Sequence, residues 1–295
     1  MRILVTGGEG QLGKSIRDRI HLNNNIDFIF PSKQEMDFLS MTSIENYFES
    51  NENFDVIVNC AAYTSVDEAE KEEKIANQIN NLAVRKLAEI SASKEIRLIH
   101  ISTDYVYSGE SKLPYVESDV TEPINIYGKT KLEGEIAIKQ ILPYGAIIIR
   151  TGWLYSKYGN NFVKTILKLI HSRKEITVVD DQIGSPTYAD DLANVILKII
   201  NDNSFQFKNY KSKVFHYSNN GEISWLEFAV EIYNLSNANC ILTPIKSDQM
   251  GHVAKRPKMS VMSKDRIVKE FSIDLKPWKN SLKEMCNKNP QLFNC

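Results

Sequence analysis

A short β-branched apolar run, Arg2 to Thr6, meets glycine at once, and Gly7, Gly10 and Gly13 then recur every third residue into an amphipathic stretch beginning at Gln11. Few folds accommodate such a strand–turn–helix junction. Missing side chains allow a tight turn and a close backbone approach to a pyrophosphate, and the exposed amides of the helix start favour phosphate charge. A glycine pattern alone serves a plain strand-to-helix turn equally well. Its place directly behind a predicted first strand favours the dinucleotide reading.

The periodicity that follows carries the same message over a longer range. Candidate strands Arg2 to Thr6, Asp27 to Phe30, Val56 to Asn59, Leu98 to Ser102 and Ala146 to Arg150 are mostly continuous apolar runs, the pattern of strands covered on both faces. Between them Gln11 to Leu22, Ser43 to Asn51 and Lys74 to Lys94 have apolar residues at helical spacing. Alternation of this kind predicts βαβ units and a doubly wound parallel α/β sheet. From about Trp153 the pattern loosens into helices near Phe162 to Ser172, Ala189 to Asn201 and Trp225 to Leu235, with strand-like Ile176 to Val179 and Val214 to Tyr217. We therefore expect a dinucleotide-binding domain over 1–155, to which later segments return, and a smaller α/β lobe over 156–295, with a soft boundary near 155 to 170.

Composition excludes several partners. The 295 residues carry 36 basic and 37 acidic side chains, so no electrostatic footprint for nucleic acid or an anionic membrane is present. Ile3 to Val5 is too short an apolar stretch for a signal peptide or a spanning helix, and a cytoplasmic protein is expected. Cys60, Cys240, Cys286 and Cys295 lack metal-ligand spacing and read as free thiols, with Cys60 in the core.

Two further sites carry chemistry. At the end of the second strand, Pro31, Ser32 and Lys33 stand where a carboxylate would bond the ribose hydroxyls of NAD, so Lys33 leans toward the 2′-phosphate of NADPH and leaves NADH open. A lone lysine is more often a solvated one, and Asp37 offers itself for the adenine end. Farther on, Tyr127 and Lys131 are four residues apart and share a helix face. Carbonyl reduction by hydride needs a proton for the developing alkoxide, and a cation beside a phenol favours its ionised form. Thr103, with Ser102 behind it, supplies a hydroxyl for the carbonyl oxygen at the end of the fourth strand. Tyr and Lys at this spacing occur by chance on many solvated helix faces; the order of glycine turn, hydroxyl-bearing strand end and Tyr/Lys helix is what carries weight.

With these residues in view, the chain resembles the dTDP-4-dehydrorhamnose reductase family of the extended short-chain dehydrogenase/reductase superfamily over nearly its whole length. The resemblance rests on Thr6 to Gly13, Asn59 to Glu70, Ser102 to Tyr107, Tyr127 to Glu135, Arg150 to Tyr155, Asn161-Phe162, Gln182 to Thr187, Ser224-Trp225, Phe228-Ala229 and Arg256-Pro257. It implies a Rossmann-like domain with a substrate-binding lobe, and reduction of the 4-keto group of a nucleotide-linked deoxysugar toward dTDP-L-rhamnose, a precursor for polysaccharide biosynthesis. Carried onto matching positions, it makes Tyr127 the proton donor, Lys131 its partner and Thr103 the carbonyl-orienting hydroxyl. The cofactor would lie along Gly7, Gly10, Gln11, Leu12, Gly13, Lys33, Asp37, Ala61, Ala62, Tyr63, Tyr127 and Lys131. The sugar and its nucleotide would meet Thr64, Val66, Thr103, Asp104, Tyr105, Trp153 and Asn161, although Trp153 alone reads equally as a core aromatic between lobes. Asp67 and Glu70 read equally as helix N-terminal acids. Some relatives use an acidic residue shortly after the third glycine in a magnesium site at a dimer interface; Lys14 and Ser15 stand here, so no metal is expected. Monomer and homodimer both stay open. So do a reductase or epimerase of a UDP-linked sugar, and a nucleotide-binding regulatory subunit like that of methionine adenosyltransferase.

Overall fold

The computed structural model describes residues 1–22, 25–51, 53–206 and 209–293. Strands β1 (Arg2–Thr6), β2 (Asp27–Ile29), β3 (Val56–Asn59), β4 (Arg97–Thr103) and β5 (Ala146–Thr151) are joined by a sixth, Lys213–His216, in the order sixth–β5–β4–β3–β1–β2. All five pairings in this sheet are parallel. Chain order reverses between β1 and β3, which opens a crevice at their carboxyl ends.

Alternation along the strands sorts their side chains onto two covered faces. Ile3, Val5, Val56, Val58, Ile99, Ile147 and Ile149 pack beneath α1 (Gln11–Arg17) and the helix Ala189–Asn201. On the other face Leu4, Ile57, Leu98 and Ile148 meet α2 (Met41–Ser50) and the helices Ala83–Ser93 and Ile126–Ile141. Buried ties join the first pair of helices: Ser15 donates to Asp190 at 2.8 Å, and Arg19 lies 2.7 Å from the same carboxylate.

A third core, centred on Tyr155, Val163, Ile166, Tyr188, Phe228, Trp278 and Leu282, lies among the later helices Phe162–Ser172, Trp225–Asn234 and Trp278–Lys288. Beside it Glu175–Val179 pairs in parallel with Ile241–Ile245. The helices Asp265–Phe271 and Trp278–Lys288 have no counterpart in the sequence reading.

Two expected helices differ in form. The one expected to reach Leu22 ends at Arg17 and is followed by a 3-10 turn, Ile20–Leu22. That expected over Lys74 to Lys94 breaks into Glu73–Asn77, a π turn Gln78–Leu82 and Ala83–Ser93. The extra residue of a π turn is a local bulge found often at functional sites, and here the fully buried Asn80 lies within it.

Cys60, Cys240 and Cys286 are free thiols, and Cys295 lies outside the described residues. Cys60 is half-buried at the rim of the sheet core rather than inside it, because it follows the last residue of β3 and lines the crevice. Among the described residues no helix is long and apolar enough to cross a membrane.

Candidate active site

The crevice between β1 and β3 encloses about 350 Å³ and is lined by Thr6, Gly7, Gly8, Glu9, Gly10, Pro31, Lys33, Met36, Asp37, Phe38, Leu39, Cys60, Ala61, Ala62 and Ile79. Its floor is the glycine turn. Gly7 has φ +66°, and a Cβ there would stand 2.7 Å from the Ala61 amide nitrogen, filling the crevice from below. A Cβ on Gly13 would collide with the Gly7 carbonyl and lie 2.7 Å from Gly8 Cα, so α1 can press onto the turn only because glycine stands there. Gly10 begins α1 without a side-chain cap, which leaves first-turn amides to other acceptors. These residues fit the pyrophosphate of a dinucleotide.

Lys33 is exposed at the crevice mouth with Pro31 and Asp37 beside it. Asp37 accepts from the Leu39 amide at 3.0 Å and takes part in its own turn. Sequence reading passed over a second cation near this mouth. The Arg17 guanidinium lies over Phe30 at 4.3 Å and 3.4 Å from Glu9. Leu12 belongs to the buried core under the turn, so only its backbone can face a ligand.

At the next strand end, β4 delivers Thr103, Asp104 and Tyr105 against the Ile126–Ile141 helix. Asn125 caps that helix, its side chain accepting from the Gly128 amide at 2.8 Å, and Glu70 accepts from the Ile126 amide at 2.9 Å. Glu70 thereby fixes where the Tyr127 helix begins. Gly128 then matters for approach: any Cβ would collide with the Tyr105 carbonyl, so its absence brings Tyr127 to the exit of β4. The rings of Tyr105 and Tyr127 meet edge to face at 5.8 Å. Burial pushes the Tyr127 phenol up, the Thr103 hydroxyl pulls it down, Asp104 pushes it up, and the balance lies at about 12. Burial raises the Asp104 carboxyl to about 6 against hydrogen bonds from Ser260 and Thr103.

Ser102, the second choice for the carbonyl-orienting hydroxyl, is otherwise engaged. It donates to Glu135 at 2.6 Å, and Glu135 holds Arg150 through contacts of 2.9 and 2.6 Å in a fully buried pair. Thr103 donates to Asp104 at 3.1 Å and accepts from the Tyr105 amide at 3.2 Å, with its hydroxyl at the side of Tyr127. Lys131 is 1% exposed; its ammonium donates to the Ile101 carbonyl at 2.7 Å and lies 3.3 Å from His100 Nε2. Burial pulls it down to about 8, while Glu135 and Cys60 act in the opposite direction.

Ala61, Ala62 and Tyr63 continue the crevice wall past β3, and the Tyr63 backbone is held at both ends by Asn80, at 2.9 and 3.0 Å. Asn80 also reaches Thr130 on the Tyr127 helix at 3.2 Å. A buried asparagine on the apolar face of an amphipathic helix was the available signal for it. The Tyr63 phenol turns outward to Glu72 at 2.5 Å.

Thr64 is exposed, and Val66 opens the short helix Val66–Ala69. Asp67 is more than a helix-end acid: Arg256 lies 2.6 Å from it and the Val253 and Ala254 amides donate to it. Trp153 follows β5 in a left-handed conformation, φ +50°, unusual for a bulky side chain, and its ring stacks on Trp225 at 3.4 Å and 5°. Asn161 caps the Phe162–Ser172 helix and gives its amide to Gln11, Ser156 and Tyr158, and so joins the glycine turn to the later core.

A doubly wound parallel sheet, a glycine turn at its switch point and a Tyr/Lys helix beside the hydroxyl-bearing end of the fourth strand define an extended short-chain dehydrogenase/reductase. Comparison with known proteins narrows this. The family model of the RmlD substrate binding domain matches residues 1–290. A dTDP-4-dehydrorhamnose reductase of Aggregatibacter actinomycetemcomitans is 36% identical over 96% of this chain and 98% of its own. The crystal structure of a dTDP-4-dehydrorhamnose reductase from Clostridium acetobutylicum superposes with a TM-score of 0.91 at 39% identity, covering 98% of this chain and 100% of that one. Another from Bacillus anthracis, solved in complex with NADP, gives 0.89 at 36% identity over 97% and 99%. The chain belongs to the dTDP-4-dehydrorhamnose reductase family.

Proposed function

We propose that this protein is an NADPH-dependent reductase of a dTDP-linked 4-keto-6-deoxysugar, converting dTDP-4-dehydro-L-rhamnose to dTDP-L-rhamnose in the cytoplasm for polysaccharide biosynthesis. The observation that carries the reading is the Tyr127 phenol brought by Gly128 to the exit of β4, at the side of the Thr103 hydroxyl and one helical turn from the buried Lys131. A proton donor and a carbonyl-orienting hydroxyl must stand together in this way for hydride reduction.

The glycine turn with Ala61 and Ala62 would hold NADPH, with Lys33 toward the 2′-phosphate and Lys131 toward the nicotinamide ribose. Bound reduced nicotinamide supplies hydride to the carbonyl carbon. Thr103 orients the carbonyl oxygen, Tyr127 gives it a proton, and the Lys131 charge stabilises the phenolate left behind. Residues 1–155 with the returning strand Lys213–His216 serve the dinucleotide, and 156–295 mainly shape the sugar pocket, with Trp153 as its wall.

The test offers NADPH with a panel of dTDP- and UDP-linked 4-keto sugars and follows nicotinamide oxidation. Turnover of the dTDP-linked sugar is expected, with Tyr127→Phe lowering kcat by roughly 100- to 10,000-fold while NADPH still binds. Turnover of UDP-linked sugars alone would move the protein to another substrate. No turnover with bound nucleotide would make it a binding subunit.

A further inference from the structure

Directly below the crevice, three parallel strands carry polar residues where their pattern calls for apolar ones. Leu4, Ile57 and Leu98 pack on the face beneath the Ile126–Ile141 helix. Two residues farther along each strand, and so on the same face, stand Thr6, Asn59 and His100. They are register neighbours, Thr6 with Asn59 and Asn59 with His100. Their exposures are 1%, 0% and 0%. Thr6 Oγ1 donates to Asn59 Oδ1 at 2.6 Å, Asn59 Nδ2 lies 2.9 Å from His100 Nδ1, and His100 Nε2 lies 3.3 Å from Lys131 Nζ. The ladder therefore ends on the lysine.

We propose that His100 is the positioning residue of Lys131, its unprotonated Nε2 accepting from the ammonium while Asn59, anchored on Thr6 at the foot of the glycine turn, keeps the imidazole proton on Nδ1. For the catalytic consequence this rests on the reductase reading above; for the proton order it rests on the geometry alone.

The order follows from counting donors. A buried ammonium has three N–H groups, and the Ile101 carbonyl satisfies one. Were the His100 proton on Nε2, two donors would face each other inside the sheet, and an unmatched charged donor there is costly. With the proton on Nδ1, Nε2 becomes the second acceptor, and the third N–H is left for the ribose or the phenol. A half-turn of the Asn59 amide, which exchanges its oxygen and nitrogen and reverses the contact with Thr6, sets the oxygen against Nδ1–H and the NH2 against Thr6 Oγ1. Three titratable groups face or adjoin the lysine: Glu135 one turn on, Cys60 beyond β3, and His100 itself. Burial and the Lys131 charge both hold His100 well below its ordinary value, so it stays neutral and able to accept.

The chain also links the two halves of the site. Thr6 immediately precedes Gly7, and the Ala61 amide donates to its hydroxyl at 3.4 Å. The depth at which the lysine sits is thereby referred to the same strand end that carries the dinucleotide turn.

The test is long-range proton–nitrogen NMR on full-length protein labelled with 15N-histidine at pH 6.5, the His100 signals assigned by their loss in H100Q. An Nδ1–H tautomer with an unprotonated Nε2 is expected, and a proton on Nε2 would overturn the proposal. In turnover, His100→Leu removes the acceptor. It is expected to lower kcat about tenfold and to move the alkaline fall in kcat down by about one pH unit, because the ammonium is then harder to keep. His100→Gln, whose side-chain oxygen can accept, is expected to restore both. His100→Leu with wild-type kcat and an unmoved alkaline limb would also overturn it. Should His100→Leu not fold, the tautomer and His100→Gln decide; should the wild type reduce no sugar, the tautomer still decides while the reductase reading falls.

Discussion

Replacing Arg150 by leucine leaves the Glu135 carboxylate at 0% exposure with the Ser102 hydroxyl and the ammonium of Lys139, at 3.6 Å, as its remaining partners. Breaking a buried pair from one side costs about 3–5 kcal/mol, since the surviving charge stays desolvated. For a chain of this size that lowers Tm by roughly 5–8 °C. The cost should also depend on pH. In the native protein burial pushes the Glu135 carboxyl up, but Arg150, Lys139 and Ser102 outweigh it and hold it below its ordinary 4.5. Its contribution is therefore present above the unfolded value and fades as pH falls through the lower folded one. Burial is the largest single influence on this carboxyl, so removing Arg150 is expected to reverse the shift and raise the folded value. Protonation then removes the penalty, so the deficit against wild type should narrow as pH is lowered from 7 toward 4.5. Thermal unfolding followed by circular dichroism at several pH values measures both effects. The double variant Glu135→Met, Arg150→Met should recover at least half of the loss, with Ser102 losing its acceptor while Tyr107 keeps the Val116 carbonyl and His216. A single variant within about 2 °C of wild type at pH 7, or a deficit unchanged between pH 7 and 5, would refute the reasoning.

Two further outcomes are expected. Gly13→Ala should weaken NADPH binding about tenfold or more and cost roughly 1–3 kcal/mol of stability, because the added methyl meets the Gly7 backbone; nicotinamide fluorescence titration and thermal melting check it. Lys33→Asp should lower the kcat/KM preference for NADPH over NADH about five- to tenfold by placing negative charge near the 2′-phosphate, and an unchanged ratio makes Lys33 a solvated surface lysine.

What the sequence made legible was whatever depends on neighbours a few positions away. Strand–helix alternation placed β1 to β5 and the helices Phe162–Ser172 and Ala189–Asn201 within a residue or so of where they lie. The glycine spacing marked the turn, and the four-residue step from Tyr127 to Lys131 put both on one helix face. Contacts that join distant segments stayed hidden, since no local periodicity encodes them. Asp67 meets Arg256 from 189 positions away, and Trp153 finds Trp225 only because the later core folds back on β5. Gln11 and Asn161 both matched the family pattern, yet the structure joins them to each other. A polar side chain in a matched motif can serve another residue as readily as a ligand, and which it does is set by packing.

The sixth strand has a further consequence for how this protein is made. Ala146–Thr151 is buried along its whole length, and Lys213–His216 supplies one of the two edges that cover it. While a ribosome is still translating the intervening stretch of more than sixty residues, that edge has no native partner to pair with. The nascent chain thus passes through an interval of aggregation hazard that closes only when His216 emerges.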